Sequence, residues 1–207
     1  MRLVLLGPPG AGKGTQGQTL AQIYRVPHIA TGDIVRDHIA RQTEFGRRVQ
    51  ALIAAGNFVS DADILHWVGA RLAEPDAQDG YILDGFPRDV PQAEAFAQRL
   101  DAVVDLEIAE EALVERLSGR LVCPVCDTVY NTVQYPPKQA GICDKEGAEL
   151  VRRPDDEPEA VRHRLEVYKD RTAPLQVYYE QRGLLKRVDA LGEPSLVTKR
   201  IQSALAN

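Results

Sequence analysis

The chain is short of several things, and each shortage removes a class of answers. It has no long apolar run. The first, Leu3-Val4-Leu5-Leu6, is four residues long and leads straight into a glycine turn, whereas a membrane span needs about 20. Neither a transmembrane segment nor a signal peptide is predicted, and the expected place is the cytoplasm. There is no surplus of positive charge: 25 Lys and Arg against 30 Asp and Glu give a formal net charge of −5. A general nucleic-acid binder shows the opposite balance, so that class is set aside, while a local basic site stays allowed. Cysteine is scarce. The three present are odd in number and all fall between 123 and 143, unlike the even, spread pattern of a secreted disulfide framework. No internal repeat or low-complexity tract is visible.

Arginine, by contrast, is plentiful: 19 against 6 lysines in 207 residues. Its planar fork suits bidentate contacts to phosphate. A genomic codon bias explains the total equally well, so the positions of the arginines must decide.

Strands and helices alternate at both ends of the chain, the mark of a parallel α/β sheet. Apolar runs predict strands over 2–6, 28–30, 81–83, 102–108 and 184–188. Helical spacing predicts helices over 13–24, 33–56 with a break near 43–46, 61–72 capped by Asp61, 91–100 opened by Pro91, 110–117 and 195–205. A long helix over 158–182 has Asp155-Asp156-Glu157 at its start, where negative charge suits the dipole, and Pro174 to kink it. Between these, 119–154 has scattered β-formers, paired prolines, several glycines and all the cysteines, without helical period. It reads as a small β-rich insertion.

The stretch Gly7-Pro8-Pro9-Gly10-Ala11-Gly12-Lys13-Gly14-Thr15 joins the first strand to the first helix. Glycines let backbone N–H groups converge on one cavity, the helix start adds partial positive charge, and a lysine reaches outer phosphates. Gly7 and Gly12 have the required spacing before Lys13. One detail departs: Gly14 follows the lysine, and the hydroxyl comes one residue later at Thr15. The alternative is a plain glycine turn, which the flanking strand and helix disfavour.

Three further stretches are weak singly: Ala30-Thr31-Gly32-Asp33, Asp84-Gly85-Phe86-Pro87-Arg88 and Arg153-Pro154-Asp155-Asp156. In this order after this loop, with Gln16 and Gln92 in place, they closely resemble the adenylate kinase family over essentially the whole chain. The insertion is similar to that family's long lid. The resemblance implies a P-loop nucleoside-monophosphate kinase fold with a five-stranded parallel sheet. The implied core is 1–29, 60–118 and 156–207, with a helical AMP-binding insertion over 30–59 and a lid over 119–155. It implies reversible transfer of the γ-phosphoryl of magnesium ATP to AMP, giving two ADP. A monomer is expected, and charge and the lack of an apolar span leave no nucleic-acid or membrane partner expected.

The resemblance also implies roles. Gly10, Ala11, Gly12, Lys13, Gly14 and Thr15 hold the ATP phosphates, and Arg116 packs on the ATP adenine. Arg120, Arg153 and Arg164 reach phosphates on closure; Arg36 and Arg88 hold the AMP phosphate. Thr31, Asn57, Val59, Gly85 and Gln92 line the AMP site, the segment 57–60 mostly through its backbone. Asp84 holds magnesium through water, and Asp155 and Asp156 pair with lid arginines. Many long-lid members carry two adjacent arginines where this chain has Arg120-Leu121, and Arg120 is taken as the active one. Arg164 has independent support: it lies at the edge of the stripe Val161, Leu165, Tyr168, Thr172 and Leu175, where an arginine needs an anionic partner. From the helix alone a structural salt bridge serves equally well.

His28, His38, His66 and His163 do not cluster in sequence, and Trp67, Tyr178 and Tyr179 read as packing residues. Two rivals stand beside AMP kinase activity. One is a kinase for UMP, CMP or GMP, against which Thr31 speaks, since pyrimidine relatives usually have a small apolar residue there. The other is a zinc-ribbon binding module on a nucleotide switch, a scheme that gives Arg36, Arg88 and Arg164 nothing to do. Finally, Cys123 and Cys126 form a C-x₂-C knuckle; sixteen residues later Cys143 and Glu146 repeat the spacing. That is a zinc-ribbon layout with a carboxylate in the fourth position. Asp127 and Asp144 adjoin cysteines and have poorer geometry. The alternative is three reduced thiols in a lobe held by polar contacts.

Overall fold

The computed structural model describes residues 1–55, 57–96 and 98–206. Gly56 and Ala97, each placed by the sequence reading in or at the end of a helix, lie outside them. β1 (Arg2–Leu6) leads through the glycine turn into α1 (Lys13–Tyr24). Then come β2 (His28–Ala30), α2 (Thr31–Ala40), α3 (Glu44–Ala54), α4 (Asp61–Leu72), β3 (Tyr81–Asp84), α5 (Val90–Ala95), β4 (Ala102–Glu107) and α6 (Glu110–Ser118). A small lobe follows, with β5 (Arg120–Val122) and β6 (Val129–Asn131). The chain returns by α7 (Pro158–Val167), a π-helical turn (Tyr168–Thr172), α8 (Pro174–Glu180), β7 (Leu185–Asp189) and α9 (Pro194–Ala206).

The main sheet has the order β2-β3-β1-β4-β7, and every neighbouring pair is parallel. It is covered on both faces. Val4 and Leu6 of β1 point into one layer, with Val35, Val49, Val68 and Leu175; Leu3 and Leu5 point into the other, with Leu20, Leu117, Leu165 and Ile201. That is why β1 is apolar at successive positions instead of alternating. Each such fully buried side chain contributes about 1.5–3 kcal/mol. Among the described residues no helix is long and apolar enough to cross a membrane.

Three local expectations are corrected. Ser60, not Asp61, caps α4: its Oγ accepts from the Asp63 N–H at 3.2 Å, leaving the Asp61 carboxylate for other partners. The helix expected to reach residue 100 ends at Ala95, because Phe96 leaves helical angles and sets its ring edge-on to Phe86, centroids 5.2 Å apart. The long helix expected over 158–182 is broken more fully than a kink. Pro174 has no N–H to give, and the Ala173 N–H reaches back five residues to the Tyr168 carbonyl at 2.9 Å. The apolar stripe therefore divides. Val161 and Leu165 join one layer and Leu175 the other, and Tyr168 and Thr172 at the break line the main cleft.

Candidate active site

A cleft of about 360 Å³ opens at the carboxyl ends of β1, β2 and β3, where ligands bind in open parallel sheets. The glycine turn forms its floor. Gly7 has φ +134°, and a Cβ there would stand 2.8 Å from the Leu106 carbonyl oxygen. Gly12, the residue before α1, has φ +98°. Only glycine adopts these angles without strain. Gly10, Ala11, Gly14 and Thr15 line the cleft beside them. The Lys13 Nζ donates to the Gly7 and Pro8 carbonyls at 2.8 and 3.0 Å, across the mouth of the turn. Burial drives the Lys13 pKa down to about 8. Asp84 opposes this, while Arg164, Arg88 and Arg120 add to it.

Arginines from four separate parts of the chain meet Lys13 in this cleft. Arg120 leaves β5 and grips Asp156 with two nitrogens, its Nε at 2.6 Å from Oδ2. Arg164 on α7 reaches Asp155 at 2.8 Å and Asp156 at 3.3 Å. Asp156 is 1% exposed, so it is a buried carboxylate between two arginines. Arg36 on α2 pairs with Asp33 one turn earlier. Arg88 and Arg153 differ: among the described residues neither has a carboxylate within ion-pair distance. Burial lowers both pKa values to about 10, reinforced by Arg164 at Arg88 and by Arg36 at Arg153. Asp84 and Asp155 at Arg88, and Asp33 and Asp155 at Arg153, oppose this only from a distance, and half-buried cations with no carboxylate in contact favour a ligand that supplies the anion. This cleft is built for several negative charges.

Asp84 ends β3 on the same floor. Burial pushes its pKa up, but the His28 imidazole 3.7 Å away and the Lys13 charge outweigh it, and the carboxyl is held below its usual range. Asn57, Val59 and Gly85 line the cleft. Thr31 and Gln92 do not; both stand behind its wall, 1% exposed. The Thr31 hydroxyl donates to the Gly85 carbonyl at 2.8 Å and accepts from Arg88 at 3.4 Å. The Gln92 carbonyl accepts from the Arg88 N–H at 2.8 Å, and its amide donates to Asp61 at 2.6 Å. In this arrangement they shape the wall by fixing Arg88 and Gly85. At the other end Arg116 donates to the Ala190 carbonyl at 2.9 Å and lines the cleft beside Tyr135 and Gly192. Leu121, where a second arginine was the commoner choice, packs into the lobe's interior.

In the lobe the Sγ atoms of Cys123, Cys126 and Cys143 lie within 4.8 Å of one another, Cys126 and Cys143 at 3.7 Å. Three thiolates 2.3 Å from a tetrahedral zinc would stand about 3.8 Å apart, so the cluster fits that ion. Burial raises the Cys143 pKa, yet hydrogen bonds from Tyr130 and from the Glu146 and Lys145 N–H groups win and bring it to about 6. The Glu146 side chain is exposed and its carboxylate is outside the three-sulfur cluster. Asp144 is outside it too, accepting from the Lys138 N–H at 2.8 Å.

Sequence reasoning missed several residues at this site. His28 was set aside as isolated, but parallel pairing of β2 with β3 sets Ala30 against Asp84 and brings the imidazole to that carboxylate. Tyr135 lines the cleft and carries no motif, and Phe58, within the segment 57–60 expected to act mostly through its backbone, lines it with its side chain as well. His163 on α7 meets the Asn57 side chain at 2.8 Å, across 106 residues of chain. Nothing in local spacing signals such a pair.

The family model described as adenylate kinase matches residues 5–184. An adenylate kinase of Anaeromyxobacter sp. (strain Fw109-5) is 48% identical, the match covering 97% of this chain and 99% of that protein. One of Moorella thermoacetica is 50% identical over 91% of this chain and 90% of its own length. One of Methanothrix thermoacetophila is 42% identical over 100% and 99%. With the phosphate turn, the parallel sheet and the arginine-lined cleft all in place, the chain belongs to the adenylate kinase family.

Proposed function

We infer that this protein transfers the γ-phosphoryl of magnesium ATP to AMP, reversibly, giving two ADP. The observation that carries the reading is that Arg88 and Arg153, both half-buried and among the described residues without a carboxylate at ion-pair distance, line one cleft with Lys13. An AMP phosphate oxygen forms the new bond to the γ-phosphorus as the bond to the β-bridging oxygen breaks. That oxygen is already ionised, so no general base is required. What the chain supplies is alignment, positive charge and exclusion of water. Lys13 and the N–H groups of residues 10–15 hold the ATP phosphates, and Arg116 covers the adenine. Arg36 and Arg88 hold the AMP phosphate. Arg120, Arg153 and Arg164 neutralise the transferring group. Asp84 would help to hold the magnesium that comes with the nucleotide, and the ion would supply charge neutralisation at the transferring phosphates.

On this reading residues 30–59 cover AMP and 119–155 cover ATP, both moving on the sheet. The lobe would hold a structural zinc through Cys123, Cys126 and Cys143, and Glu146, exposed and outside the cluster in this structure, would have to turn inward to serve as fourth ligand. The protein works as a monomer in the cytoplasm. The test is turnover of AMP, GMP, UMP and CMP with magnesium ATP. AMP is expected fastest, and faster turnover of any other would overturn the specificity assigned here.

A further inference from the structure

Arg88 has a neighbour that no carboxylate supplies. Its guanidinium carbon lies 4.5 Å from the ring centroid of Phe58, within cation–π range. Phe58 is half-buried, lines the cleft, and belongs to the segment between α3 and α4. Its ring also lies 5.4 Å from the guanidinium carbon of Arg171 on the π-helical turn. Arg171 is itself fixed by ion pairs to Asp89 and Asp61. The ring is thus held between one anchored cation and one working cation.

We propose that Phe58 is a positioning residue for AMP, holding the Arg88 guanidinium over its ring so that no carboxylate takes the N–H donors or cancels the charge that the phosphate needs. The reason is a difference between partners. A carboxylate would fix Arg88 by occupying the same donors the phosphate needs, and would cancel the charge. An aromatic face attracts the cation from above the plane and does neither. The only in-plane bonds that Arg88 makes among the described residues are its Nε to the Gly85 carbonyl at 2.8 Å and its Nη2 to the Thr31 hydroxyl at 3.4 Å. The sequence reading expected residues 57–60 to act mostly through their backbone; here a side chain carries the effect.

This inference rests on the reading of Arg88 as an AMP-phosphate ligand. The test replaces Phe58 by Leu, which keeps apolar volume and loses the π face, and by Tyr, which keeps both. Phe58→Leu is expected to lower kcat/KM for AMP roughly three- to thirtyfold, through KM more than kcat, with KM for ATP within about twofold of the parent. Phe58→Tyr restores most of it. Should Phe58→Leu fold poorly, stepwise fluorination of the ring at position 58 weakens the quadrupole at nearly constant shape, and kcat/KM for AMP should fall with each fluorine. A flat fluorine series, an unchanged Phe58→Leu, or a Phe58→Tyr as impaired as Phe58→Leu would overturn the proposal. If Arg88→Ala itself leaves AMP turnover intact, it is the underlying site reading that fails; if Arg88→Ala is impaired and the Phe58 series is flat, this inference alone fails.

Discussion

The arginine cleft and the cysteine lobe hold their functional atoms by different means. The cleft stands on two thick apolar layers. Leu3 and Val4 are 0% exposed, as are Leu83 and Leu106, so the strand ends that present Lys13, Asp84 and Arg88 have little freedom. Such a base tolerates uncompensated charge, and Arg88 and Arg153 use that tolerance. The lobe around β5 and β6 buries, among the described residues, Cys123, Tyr130, Cys143 and Leu150 in its own cluster, with Leu121, Cys126 and Ala148 packed against them. A unit this small cannot build a sufficient core, and small domains recruit metals for that reason. Damage to the two regions should therefore separate: in the cleft it should cost chemistry and spare the fold, and in the lobe the reverse.

The sharpest way to break this comparison is charge removal in the cleft. Lys13→Ala and Arg88→Ala should each lower kcat/KM by roughly 10²–10³, with circular dichroism and melting behaviour close to the parent. A loss below tenfold in either, or a collapse of the fold, would contradict the division.

A second effect concerns pH. The pKa of Lys13 is lowered in the folded protein, from 10.5 to about 8, chiefly by burial. Above about 8 the free enzyme loses this charge, so kcat/KM for ATP should decline by up to tenfold per pH unit. Bound phosphates favour the charged form, so kcat should hold to higher pH. The stability sign is opposite. The unfolded chain binds more protons between about 8 and 10.5, so this group's contribution to stability rises with pH through that window. A pH–rate profile with coincident limbs for kcat and kcat/KM would count against the assignment.

The smallest kinetic effect is expected in the lobe. Protein purified without chelator should carry close to one zinc. Its removal, or Glu146→Ala, should lower Tm by roughly 2–4 °C for each kcal/mol lost, leaving kcat at moderate temperature nearly unchanged. Metal analysis below a tenth of an equivalent, with no thermal effect of chelator, would remove the zinc from this picture.

Much of this was legible in the chain. Strands such as β1 and β2 were placed to the residue, because buried parallel strands are short apolar runs between turn residues. Lys13, Arg36, Arg88, Arg120, Arg153 and Arg164 were named from motif and resemblance, and all reach one cleft. The Ser60 cap is a local detail, but the other two corrected helix boundaries share a cause. The end of α5 is set by Phe96 meeting Phe86, and the extent of the break that Pro174 starts before α8 by the chain passing between layers. Both depend on contacts with distant elements, which local periodicity does not contain.

By itself the sequence determined the phosphate turn, since Gly7 and Gly12 occupy backbone angles that other residues avoid, and a local conformational demand is written in local residues. It also determined the layered α/β plan, through apolar periods of strand and helix. Only the tertiary structure decided which charges are paired. Asp156 serving both Arg120 and Arg164, His28 beside Asp84, and Arg88 over the ring of Phe58 each join segments tens of residues apart or separate elements of the fold. Electrostatic and cation–π energies depend on distance in space and on burial, and neither is a function of position along the chain.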